Sequence, residues 1–183
     1  MIYIRESSKA ALCGIISALS VVIMLSTYLS PFLVYTAPAF AGLLLLLILN
    51  EIGYSWAIGT YFSISIVSLF IIADKESAVF FIFFFGFYPI IGYFFMNKLK
   101  NKVISWLLKI IVFNLSCFSA IIVCIFVLGV SFEDIISEGV FFTAVFIILL
   151  NVLFVVYDVL LLRLQELYIK KLRKRFCKLF NIR

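Results

Sequence analysis

No histidine occurs anywhere in the chain. That removes the commonest metal ligand and the commonest general base. Charge is also scarce, at 13% of residues, about half the share of a soluble globular chain. Cysteine is limited to Cys13, Cys117, Cys124 and Cys177, with no C-x-x-C pair, and three of the four lie in apolar runs. They read as small buried hydrophobes, not as a disulfide framework or a metal site. No Walker loop, G-x-S-x-G or H-E-x-x-H occurs, so nothing in the chain can hydrolyse a nucleotide. No catalytic residue, metal ligand or cofactor is expected, and the chain is not read as an enzyme.

Apolar side chains fill the gap. Of 183 residues, 66% are hydrophobic, and Phe alone accounts for 22. A soluble fold has no way to hide that much apolar surface, so the solvent for most of it is lipid. Six runs approach the roughly 20 residues a spanning helix needs: Ala10–Ser30, Phe32–Asn50, Ile52–Ala73, Ser77–Asn97, Ile110–Phe132 and Gly139–Leu162. The first is too long for a signal peptide, and small residues lie too far downstream, so it reads as an uncleaved helix. In the second, Pro31 and Pro38 leave two starts open: Phe32, or Pro38 as a first-turn proline behind a loop over Ser30–Ala37. Gly86 and Pro89 are expected to bend the fourth.

The expected fold is all-α, an integral membrane six-helix bundle over residues 1–162. A basic amphipathic tail, 163–183, is expected to lie on the anionic inner leaflet; tethered there, it is not expected to bind nucleic acid. Six spans put both termini on one side. Arg5, Lys9, Lys98, Lys100, Lys102, Lys109 and the eight basic residues from Arg163 to Arg183 fall on that side, leaving only Lys75 opposite. The positive-inside rule makes that side cytoplasmic. Asp74, Glu76, Glu133, Asp134 and Glu138 then face outward.

Asp74-Lys75-Glu76 is the least expected feature in so apolar a chain. At mid-membrane each charge would cost about 2.5–3.5 kcal/mol, so the triplet marks a boundary. Asp74 can cap the fourth helix, and Glu76 suits its first turn. Lys75 has the wrong sign for that helix end. An acid–base–acid rim would instead hold a small organic ligand with an anionic group, helped by the helix N-terminus. Tyr28, Phe32, Tyr35 and Tyr88 would pack against its apolar body, the first three from a lid over Tyr28–Gly42; the same aromatics also suit an interfacial belt. Asn114 and Ser116 lie in the fifth helix. Asn151, in the sixth, either lines a cavity or joins two helices. Asp158 is expected to pair with basic residues after Leu162. Ala10, Gly14 and Ala18 recur every four residues along the first helix, with Cys13 and Ser17 beside them. Such a stripe packs inside the bundle or docks a separate membrane subunit.

In size, helix number, cytoplasmic termini, long first outer loop and the Ala10/Gly14/Ala18 stripe, the chain resembles a substrate-binding S component of an energy-coupling factor (ECF) transporter. The likeness covers nearly the whole chain. It implies a bacterial plasma-membrane protein that captures a vitamin-like micronutrient at its outer face. It also implies that the first-helix stripe docks a transmembrane T component, with two ATPase subunits completing the importer. Gly14 stands where that family commonly has Ala, and no residue set marks riboflavin, thiamine, biotin or folate. The stretch ADKESAVFFIFFFGFYPIIGYF also resembles a group of uncharacterised bacterial membrane proteins with a similar acid–base–acid motif. The main alternative is a non-transporting envelope scaffold similar to the rod-shape-determining membrane protein. A third is a lipid-modifying enzyme using the outer acids.

Overall fold

A computed structural model describes residues 6–30, 32–98, 101–128 and 140–172. Those residues are all-helical, with six helices long and apolar enough to cross a membrane, the organisation of a multi-pass membrane protein. In lipid every backbone polar group must be satisfied within the chain, and helices do this segment by segment. The elements are α1 (Glu6–Leu25) with a 3-10 turn (Ser26–Leu29), α2 (Leu33–Glu51), α3 (Tyr54–Ile71), α4 (Lys75–Phe80), α5 (Phe87–Lys98), α6 (Lys102–Leu128) and α7 (Val140–Leu167). A π turn, Phe81–Phe85, joins α4 to α5 into one span, and another, Tyr168–Leu172, extends α7. At 19 residues, α2 is about 28 Å long, matching a hydrocarbon core of about 30 Å. Tyr168 beyond α7 bonds Glu51 at the end of α2, and the end of the bundle that these two residues share is called here the terminal face.

Polar side chains inside the spans mostly turn back on their own helix. Asn50, Thr60, Ser63, Asn114, Ser119 and Asn151 each donate to the carbonyl four residues earlier. This lets apolar helices carry them without leaving donors bare.

The core gathers around α2, which packs against α1, α3, α4, the first π turn and α5. Ala41, Leu45 and Ile48 are wholly buried on it. Gly42 lets the π turn come close: a methyl there would stand 2.0 Å from the Phe85 carbonyl oxygen. That carbonyl would normally accept from residue 89, but Pro89 has no N–H. The Tyr157 hydroxyl stands 3.5 Å away to take its place. One turn earlier, Tyr61 donates to the Ile82 carbonyl at 2.7 Å. Gly86 bonds back five residues to Phe81, so the irregularity expected at Gly86 and Pro89 takes the form of a π turn. Between α2 and α3 the connection is two residues, and Gly53 takes φ +116°, a conformation that favours glycine.

Several boundaries differ from expectation. α2 starts at Leu33, so Pro38 is its sixth residue and not a first-turn proline. The long lid over Tyr28–Gly42 is therefore mostly helix, with a short connection near Ser30. α6 starts at Lys102, eight residues before the expected Ile110. α7 passes Leu162–Arg163 without a break, so the tail begins as a continuation of the last span. The remainder of the tail, and Glu133, Asp134 and Glu138, lie outside the described residues.

Candidate functional site: an ion pair inside the bundle

Lys109 and Asp158 meet in the interior. The Lys109 ammonium donates to both carboxylate oxygens, at 2.8 Å and 3.1 Å, and the Tyr88 hydroxyl donates to Oδ1 at 2.5 Å. Residue exposures are 6% for Lys109 and 5% for Asp158. Lys109 lies seven residues into α6, about 10 Å along its axis. An ionisable pair at that depth is costly, and it marks a functional site by default. Three charge-assisted bonds satisfy the acid and tie α5, α6 and α7 together.

Antiparallel pairing of α6 with α7 brings the two residues into register. Phe113 stacks on Phe154 at 4.5 Å, one rung beyond the ion pair. Asn114 and Asn151 then exchange amide bonds at 3.1 Å and 3.4 Å. Asn151 thus joins two helices. Phe84 meets Phe113 edge-on at 4.9 Å and Tyr88 meets Phe154 at 5.1 Å, so aromatic rings close the site on the side away from the terminal face. On the other side is a hollow of about 20 Å³ lined by Lys109, Asp158, Tyr88, Gly92, Tyr93 and Gln165. It is roughly the size of one water, and Leu46, Pro89, Leu161 and Leu162 make most of its wall apolar.

Two corrections follow. Tyr88 is not on the rim with the triplet; it is 1% exposed and committed to Asp158. Asp158 pairs with a lysine of the neighbouring helix, not with the tail. A fifth span started at Ile110 leaves Lys109 just outside it, close to the link, whereas α6 starts at Lys102 and carries Lys109 inside. The apolar Val103, Ile104, Trp106, Leu107 and Leu108 before it were the signal that the helix had already begun.

Lys75 has a structural role. Lys75 donates to the carbonyls of Leu69 and Ile72, at 2.6 Å and 2.8 Å. These are free carbonyls at the end of α3, where a cation is favoured. Lys75 has the wrong sign for the helix that follows it, and it caps the one before. Asp74 occupies the N-cap position of α4 but makes no side-chain cap bond, and Glu76 is in the first turn. Tyr28 and Phe32 are exposed. Tyr35 meets Phe80 edge-on at 5.1 Å, which brings it beside α4. The hollows lined by Lys109, by Ala10 and by Leu44 include none of Tyr28, Phe32, Tyr35 or the triplet.

Ala10, Gly14 and Ala18 all face outward from the bundle. A methyl on Gly14 would meet nothing within 4 Å. Across from the stripe, α3 presents Ser55, Gly59 and Ser63, also four residues apart. Between them is an open groove of about 550 Å³ that Ala10 and Gly14 border from α1 and Ser55, Gly59 and Ser63 from α3, with Trp56 also on its wall and Ala18 outside it. Only the α1 line was singled out in sequence; the α3 line has the same signature and was missed. Among the described residues no three of His, Cys, Asp and Glu gather as metal ligands. No family model, curated protein or solved structure matches the chain.

Proposed function

We propose that the protein is a membrane subunit that works docked to a partner's transmembrane helix along the groove between α1 and α3. The observation that carries this is the pair of facing small-residue lines, which leaves room for close backbone approach and is not consumed by packing within the chain. A substrate-binding S component of an ECF-type importer fits this arrangement. Its partners would be a transmembrane T component and two ATPase subunits, and its cargo a vitamin-like small molecule. The buried hydroxyls of Ser20, Thr27 and Ser77, which have no hydrogen-bond partner, lie in the half away from the terminal face and offer uncommitted donors to a polar cargo.

Replacing Gly14 and Gly59 with Leu tests docking. Both positions open onto space, so the isolated variant should stay folded by size exclusion and lose its co-purifying subunit. Retention of that subunit would sink the docking proposal. The capping role of Lys75 favours a second reading, the envelope scaffold, which needs a docking face and no outer ligand. The two differ in the partner recovered: an ATPase pair supports the importer, and its absence from an intact complex supports the scaffold.

Positive-inside counting supports a cytoplasmic terminal face. In a variant freed of its native cysteines, an impermeant maleimide added outside should label Glu76→Cys and spare Asn101→Cys. Glu76 and Asn101 are both exposed, whereas Ser77 is buried and would be a poor reporter. Labelling of Asn101→Cys alone would reverse the orientation.

A further inference from the structure

We propose that the groove between α2 and α7 is a binding site for one anionic phospholipid of the leaflet on the terminal face. The groove encloses about 410 Å³. Its apolar walls include Phe40, Leu43, Leu44 and Leu47 on α2, Ile23 on α1 and Leu164 on α7. Along α2 it runs from Phe40 to Asn50, about 15 Å at 1.5 Å per residue. That equals half of a hydrocarbon core of about 30 Å, the depth of one leaflet's acyl chains.

Polar groups stand at one end alone. Asn50, Gln165 and Tyr168 line the groove there, joined by Gln165 to Asn50 at 3.4 Å and Tyr168 to Glu51 at 3.1 Å. An apolar trough ending in amide and phenol groups at headgroup depth has the polarity profile of a lipid. A partner helix would instead favour the small-residue groove on the other side of α1. Leu164 and Tyr168 both line the groove, and Lys171 follows Tyr168 by three residues in the π turn that extends α7. Lys171 is exposed and pairs with no acid among the described residues, whereas Lys170 is engaged by Glu166 at 3.9 Å. Positive charge at the polar end selects an anionic headgroup, each basic residue contributing about a fivefold preference near a charged lipid surface.

The full chain, reconstituted in vesicles of equal phosphatidylglycerol and phosphatidylcholine and re-extracted in mild detergent, can be weighed intact with its bound lipid by native mass spectrometry. One phosphatidylglycerol per chain is expected, retained at least about fivefold over phosphatidylcholine. Lys171→Gln should cut that preference about fivefold. Leu44→Trp with Leu47→Trp fills the trough and should abolish retention. If that double variant fails to fold, Lys171→Gln decides alone, since its exposed side chain supports no core contact. Equal retention of both lipids, an unchanged preference in Lys171→Gln, or a co-purified polypeptide crosslinking to the trough in place of lipid would each overturn the proposal.

Discussion

Lys109→Met is expected to destabilise the bundle by about 3–5 kcal/mol, the usual cost of stranding one member of a buried pair. The loss comes less from the missing attraction than from an Asp158 carboxylate left in the interior with a phenol as its remaining partner. Asp158→Leu strands the ammonium in the same way and should cost a similar amount. The double variant, Lys109→Met with Asp158→Leu, should recover most of the stability, because apolar pairs replace buried ion pairs at little or no cost. Thermal unfolding of the four proteins in one detergent gives the cycle. Single variants within about 1 kcal/mol of the parent, a surface-like value, would mean the pair is hydrated and not buried. If the double variant folds but no longer supports transport or complex formation, the pair does more than fasten α5, α6 and α7.

Gly42→Ala is the second large effect. Its methyl would lie 2.0 Å from a backbone oxygen of the π turn and 3.0 Å from the Tyr157 hydroxyl. A side chain could swing away; the Phe85 carbonyl moves only with its helix. The expected loss is about 3 kcal/mol, at the upper end of ordinary overpacking costs, outweighing the roughly 1 kcal/mol gained from alanine's helix propensity. Gly14→Ala and Gly59→Ala, which meet nothing within 4 Å, serve as controls and should keep or slightly raise the melting temperature. A Gly42→Ala protein as stable as those controls would show that α2 and the π turn are not held in contact.

How much of this was legible in the sequence depends on the physics behind each feature. Six spans could be counted because lipid makes hydropathy a direct report of element length. Their ends were less visible. Of the two starts left open for α2, the structure takes the one beside Phe32, and Pro38 lies further in, buried among its neighbours. Lys75 looked like a rim charge for a ligand because a local reading weighs it against the helix that follows, while the carbonyls it binds belong to α3. Asn114 and Asn151 were both visible as polar residues in apolar helices. Their pairing depends on the rotation of α6 against α7, which no period in either segment records. The small residues of α1 stood out, but whether they faced inward or outward depended on where α2 and α3 settled.

Lys109 and Asp158 are 49 residues apart in the chain, and synthesis proceeds at about 5–20 residues per second. The lysine is therefore made roughly 2–10 s before the aspartate that neutralises it. During that interval its ammonium is drawn towards the headgroups about 10 Å away, along a stem long enough to snorkel part of the distance. Release of the Asp158-bearing segment from the ribosome ends the wait. The order of translation thus makes the last helix the one that seats the fifth span at its final depth.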